Sequence, residues 1–183
     1  MARTPRADAR RNRSRVLEAA IAAFAAEGLS VPVHEIARRA GVGTGTVSRH
    51  FPTKESLFEA IVSSIGDRLV ALARQLVDTE EPGTALFVFL AAMVDEGAAN
   101  RALSDAFAGV GFDVEAAAHG SDHDVLGVLR ELLARAQRAD AVRSDVDVAD
   151  LKALLVGCLA RERGDPAARA RMLAIVRRGL RSG

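Results

Sequence analysis

Thr44, Thr46, Ser48, Arg49 and His50 put five hydrogen-bonding side chains into one short stretch, beside apolar Val47 and Phe51. At a helical period Val47 and Phe51 share one face and point inward, which leaves the polar side chains outward. No nucleophile–base pairing, phosphate-binding loop or metal motif of specific spacing accompanies them, so the chemistry on offer is recognition rather than bond breaking. A short helix with such a face suits a surface that is itself rich in donors and acceptors.

The flanking residues must position that face. His34 to Arg39 carries Ile36 and Ala37 between Glu35, Arg38 and Arg39, enough for one short amphipathic helix. Gly41 stands where a left-handed residue closes a helix. Gly43 and Thr44 open the next helix, with Thr44 as its expected cap. Pro52 ends it, and Thr53 caps a third helix from Lys54, with Ser56 close by. Two short helices joined by a glycine turn form a helix-turn-helix, whose second helix enters the DNA major groove.

Charge agrees with that placement. Residues 1–54 hold ten Lys/Arg and four Asp/Glu, a balance of +6, whereas residues 55–183 hold fifteen and twenty, a balance of −5. A polyanion is therefore expected at the amino-terminal third. Arg10, Arg11, Arg13 and Arg15 crowd the first turns of a helix from about Ala9, where they oppose the helix dipole unless phosphate lies nearby. Leu17, Ile21 and Phe24 give that helix an inward face, and Gly28 ends it. Residues 1–8 read as a flexible basic tail, residues 9–53 as the DNA-binding domain and residues 54–183 as a second helical domain.

Apolar residues make up 49% of the chain and alanine is abundant, which implies an all-α fold with a real core. No apolar h-region follows the basic start, and no apolar run reaches bilayer length; Ala85–Val94 reads as a core segment. A single cysteine, Cys158, excludes an internal disulfide framework and fits a cytoplasmic setting as a buried small hydrophobe. From Lys54 the stripe Leu57, Phe58, Ile61, Ile65, Leu69, Leu72, Leu76 predicts one helix to about Asp78. Thr84–Ala99 is apolar nearly all round and is expected to be central and buried. Helices follow at Asn100–Val110, from His123 to about Ala139 with Ser121 or Asp122 as cap, from Asp147 with Leu151, Leu154, Leu155, Cys158 and Leu159 in line, and from Asp165-Pro166.

The run Ala40-Gly41-Val42-Gly43-Thr44-Gly45-Thr46-Val47, followed by His50-Phe51-Pro52 and Lys54-Glu55, resembles the TetR family of bacterial transcriptional regulators. The resemblance covers about residues 10–60. It implies a three-helix DNA-binding domain, a larger helical ligand-binding and dimerisation domain, and no enzymatic activity. On the recognition helix it places Thr44, Gly45, Thr46, Ser48, Arg49 and His50. Thr44, Ser48 and Arg49 are expected at base edges, and Arg49 matches guanine O6/N7. Thr46, His50 and Lys54 are expected at phosphates, and Gly45 lets the backbone approach DNA closely. Ser48 stands where the family very often has tyrosine, which shortens the reach there. His34 lies near a position where the family often has a phosphate-contacting threonine, and reads equally as a surface residue.

The resemblance also implies a small apolar or amphipathic effector, a palindromic operator read by a homodimer, and repression. Phe87, Phe89, Met93, Phe107, Phe112 and Leu126 could line the effector pocket or serve as plain core, with Arg130 as an anchor for a carboxylate. Leu151, Leu155, Leu159, Met172, Ile175 and Val176 are expected across the two-fold axis. His119, Asp122, His123 and Asp124 could hold a metal, and would be the site of a small helical enzyme, but read more simply as a loop and helix cap. A ligand-independent DNA-binding protein is the other alternative. Neither a resident cofactor nor a membrane partner is expected.

Overall fold

A proline costs nothing at the first position of a helix, because its missing N–H would have no partner there. Accordingly α1 spans Pro5–Glu27 in the computed structural model, which describes residues 5–101, 103, 105, 124–162 and 165–182. The helix thus starts four residues before the expected Ala9. Asp8 in its first turn pairs with Arg11 and offsets part of the charge crowding. Val16, Leu17, Ala20, Ala23 and Phe24 form its buried face. Gly28, at φ +72°, lets the chain leave α1 into a 3-10 turn, Gly28–Ser30.

The described residues form two compact units, and the division falls within α4, Lys54–Thr79. The first unit contains α1, α2 (Val33–Ala40) and α3 (Thr44–His50). α1 packs on α2 and α2 on α3. Ile36, Ala37, Ala40, Val47, Phe51, Leu57, Phe58 and Ile61 supply further buried surface. Each of the larger of these side chains, Val, Leu, Ile or Phe, contributes about 1.5–3 kcal/mol when fully buried.

In the second unit α5 (Pro82–Ala99) packs on α6 (Val125–Arg138) and on α7 (Val148–Glu162), and α7 packs on α8 (Pro166–Leu180). Leu86, Phe89, Leu90 and Val94 meet Leu129, Leu132, Leu133, Leu151, Cys158 and Leu180 in one cluster. Reciprocal caps hold α7: the Asp150 N–H donates to the Asp147 carboxylate at 2.9 Å, and the Asp147 N–H to the Asp150 carboxylate at 3.0 Å. Asp165 caps α8 through the Ala167 N–H at 2.9 Å, with Pro166 in the first turn.

Three further expectations change. The cap of α6 is Asp124, which accepts the Gly127 N–H at 2.6 Å, so the helix starts after the Ser121 and Asp122 of the sequence reading. α5 is not buried all round, since Val88 is 42% exposed; at 18 residues it is long and apolar enough to cross a bilayer by length and composition, yet its Leu86–Phe89–Val94 side lies in the protein core. Leu154, placed in the inward line of α7, is exposed. The Phe107 and Phe112 positions and the His119, Asp122 and His123 cluster lie outside the described residues.

Candidate nucleic-acid interface

The turn between α2 and α3 is fixed by backbone alone. Gly41, at φ +64°, donates its N–H to the Arg38 carbonyl at 3.1 Å, and Val42 donates to Ala37 at 3.0 Å. This pair of bonds closes α2 in a Schellman arrangement. α3 then opens with Gly43, not Thr44, as the cap residue; the Thr46 N–H donates to the Gly43 carbonyl at 2.9 Å, and no side chain caps the helix. Thr44 is thereby left on the open surface with its hydroxyl uncommitted to the cap.

Burial divides α3 cleanly. Val47 is 1% exposed and Phe51, which follows it, 5%, whereas Thr44, Gly45, Thr46, Ser48, Arg49 and His50 are all exposed. A methyl group built on Gly45 would meet nothing within 4 Å, so this side of the helix is open to a partner's approach. Among the described residues no hydrogen bond or ion pair engages Arg49. His34 on α2 is exposed as well.

The arginines of α2 are in a different situation. Arg38 donates to both Glu35 carboxylate oxygens at 2.8 and 2.7 Å. Arg39 bridges Glu35 at 2.8 Å and Glu27 of α1 at 2.6 Å. The Arg38 hydrogen bonds, then those of Arg39, pull the Glu35 carboxyl down to about 2, and both guanidinium groups are held more firmly protonated. Both arginines are thus engaged, Arg38 within α2 and Arg39 in holding α2 against α1.

Lys54 also differs from expectation. Its ammonium donates to the Leu29 carbonyl, 25 residues back, from a half-buried position. It therefore pins the α1–α2 connection to the start of α4, and only its remaining N–H groups are free for a phosphate. The start of α4 is otherwise as expected: the Ser56 N–H donates to Thr53 Oγ1 at 3.1 Å, and the Thr53 N–H to Ser56 Oγ at 3.2 Å.

Two residues absent from the expected contact set come close to it. The Arg13 guanidinium lies 5.9 Å from the Phe51 ring centre, on the same ring that His50 approaches at 6.3 Å. The Arg15 side chain rests against Gly41. The sequence signal was their crowding at the start of α1; their destination is a tertiary contact that no local pattern encodes.

Residues 16–61 match the bacterial regulatory proteins of the tetR family, and residues 81–182 match the C-terminal domain of SbtR-like transcriptional regulators. The chain belongs to the TetR family. It is an all-α, DNA-binding transcriptional regulator of that family. A TetR transcription regulatory protein from Mycobacterium vanbaalenii is similar to this regulator at 52% identity, over 97% of this chain and 99% of that one, with a TM-score of 0.79. A TetR transcriptional regulator from Streptomyces coelicolor is 34% identical over 93% and 98%, with a TM-score of 0.74. The HTH-type transcriptional regulator SrpR of Pseudomonas putida is 40% identical over 65 residues, which is 35% of this chain and only 30% of SrpR.

In the second unit of this TetR-family regulator, the expected pocket residues that are among the described residues do not converge. Phe89 is fully buried in the core. Phe87 faces an α5–α8 groove, where the Arg177 guanidinium lies 5.4 Å from its ring centre. Met93 and Val125 pack partly buried against the core, Leu126 is half-buried, and exposed Arg130 lines a separate groove with Gln137 and Asp147. Of the residues expected at a two-fold axis, Leu151 and Leu155 are turned into the protomer's own core, and Leu159, Met172 and Val176 pack partly against it. Ile175 alone of that set is open, at 62%, beside Val156 at 64% and Leu154 at 37%. Four-residue steps from Leu151 to Leu155 serve a partner or the protomer equally well, and the α5 and α6 side chains claim them first.

Proposed function

We propose that this regulator binds a palindromic operator as a homodimer, represses the adjoining gene, and lets go when a small apolar or amphipathic effector binds its second unit. The observation that carries the DNA part is the division of α3: two apolar anchors face inward, and the polar face with an unengaged Arg49 faces outward. Thr44, Ser48 and Arg49 read base edges in this proposal. Thr46, His50, His34 and Lys54 contact phosphates, Lys54 with the donors left over from Leu29. The chromosome as partner places the protein in the cytoplasm.

The dimer uses the outward faces of α7 and α8, with Val156 and Ile175 at its centre and Met172 and Val176 at its edge. Large exposed apolar side chains on two neighbouring helices support it. For the effector we favour the groove between α4 and α5, lined by Leu69, Leu72 and Ala92 with Arg68, Asp95 and Glu96. Arg68 donates to both Glu96 carboxylate oxygens at 2.9 Å. An anionic head group would compete with Glu96 for that guanidinium while its tail covers the leucines. Binding relieves repression only if the effector favours a dimer whose recognition helices no longer fit successive major grooves.

Selection of duplexes from a random pool with the full-length protein, followed by sequencing, tests the reading. An inverted repeat with half-sites about one helical turn apart supports a dimeric reader. Unenriched DNA from folded protein counts against it. A thermal-shift screen with amphipathic carboxylates, repeated on Arg68→Gln, tests the effector site; a shift that survives the substitution removes Arg68 from it.

A further inference from the structure

The arginines of α1 and α2 whose side chains are described sort into two sets. Arg11, Arg38 and Arg39 each pair with a carboxylate. Arg13 and Arg15 are exposed, and among the described residues neither meets one. Each is laid on the reading segment instead. Arg13 covers the ring of Phe51, the residue that closes α3, and Arg15 rests on Gly41, in the turn that leads into α3. Side chains two positions apart on a helix point about 200° apart, so these two leave different flanks of α1 and reach opposite ends of the reading segment. A guanidinium laid on an aromatic face or on bare backbone keeps its N–H edge, a rigid fork that matches a phosphate. Neither charge is offset by a carboxylate among the described residues, and a polyanion would neutralise both.

We infer that Arg13 and Arg15 are DNA-backbone ligands contributed by α1, each holding its own phosphate, one at either end of the recognition helix. The inference rests on the DNA-reading assignment and deepens it. The two contacts carry no base information; they set affinity, register and salt dependence. Because the side chains diverge, they do not share a phosphate, and their effects add.

The test measures binding of full-length protein to a selected duplex and to an unrelated duplex of equal length, as a function of salt. Arg13→Gln and Arg15→Gln keep the stem and remove the charge; Arg13→Lys and Arg15→Lys keep the charge. Each Gln variant should lower the log–log salt slope by about 0.9, which shrinks the affinity loss between 50 and 200 mM salt by about 3.5-fold. The double variant should lower it by about twice that, on both duplexes, with the selected sequence unchanged. The Lys variants should restore the slope, and thermal melting of every variant separates a charge effect from a folding one. Unchanged slopes in folded Gln variants overturn this inference alone. A double variant that loses only one contact's worth overturns the separate phosphates. Wild-type protein that is folded yet binds neither duplex overturns the DNA reading, and this inference with it.

Discussion

At the scale of the residue, Arg49 and Gly41 illustrate opposite kinds of necessity. Arg49 supports nothing within the described protein, so Arg49→Ala should leave the melting temperature unchanged and relax preference at one base position, with about 1–3 kcal/mol of discrimination lost there. Comparing the sequences selected by the two proteins checks this; an unchanged preference would remove Arg49 from the base edges. Gly41 does the reverse. Its φ of +64° strains any L side chain by about 1–2 kcal/mol, and a methyl group there would also displace Arg15. Gly41→Ala should therefore lower the melting temperature, by about 2–4 °C for each kcal/mol at this chain length. It should weaken binding as well, through Arg15. Gly41 was legible because a left-handed glycine is a local signal. Arg15 was not, because its reason for being there is 26 positions away in sequence.

The elements followed the sequence where punctuation is local and departed where packing decides. Gly41, Pro52, Thr53 and Asp165-Pro166 act within one turn of themselves, and the helices start and stop on them. The inward line of α7 was harder, because Leu151, Leu154, Leu155 and Cys158 lie within one broad stripe and only the positions of α5 and α6 settle which edge of it is covered. Lys54 escaped for the same reason, its acceptor being a carbonyl in another connection. The α1–α2 junction carries its own test. With its carboxyl lowered to about 2, Glu35 lends stability that is complete above the ordinary carboxylate range and is lost as pH falls from about 4.5 towards 2. The melting-temperature gap between wild type and Glu35→Gln should thus be constant above about pH 5 and close towards pH 2. The pair is solvent-exposed, so added salt should narrow the gap at neutral pH. A gap independent of pH would show that Glu35 acts by packing alone.

For the whole molecule, the informative contrast is between apolar residues spent on the protomer and those left over. Leu151→Ala removes a fully buried side chain and should cost about 2–5 kcal/mol of stability. Val156→Glu with Ile175→Glu touches side chains that are mostly exposed in the protomer and should leave each chain folded while abolishing the proposed dimer. Sedimentation equilibrium separates the outcomes, and a double variant that still sediments as a dimer would move the interface elsewhere. The all-α class and the order of the described helices were plain from composition and spacing. The lining of the proposed pocket was not, since Phe87, Phe89 and Arg130, which the sequence reading grouped together, look into three different places.

The division of α3 has a consequence for descent. Its hold on the protein is two side chains, Val47 and Phe51, and its message is written on positions that support no core. Substitutions at exposed positions of this kind shift stability by about 0.5 kcal/mol or less. Thr44, Ser48 and Arg49 can therefore drift one at a time without passing through an unfolded ancestor. A duplicated gene is free to acquire a new address on the chromosome while its scaffold stays as it was.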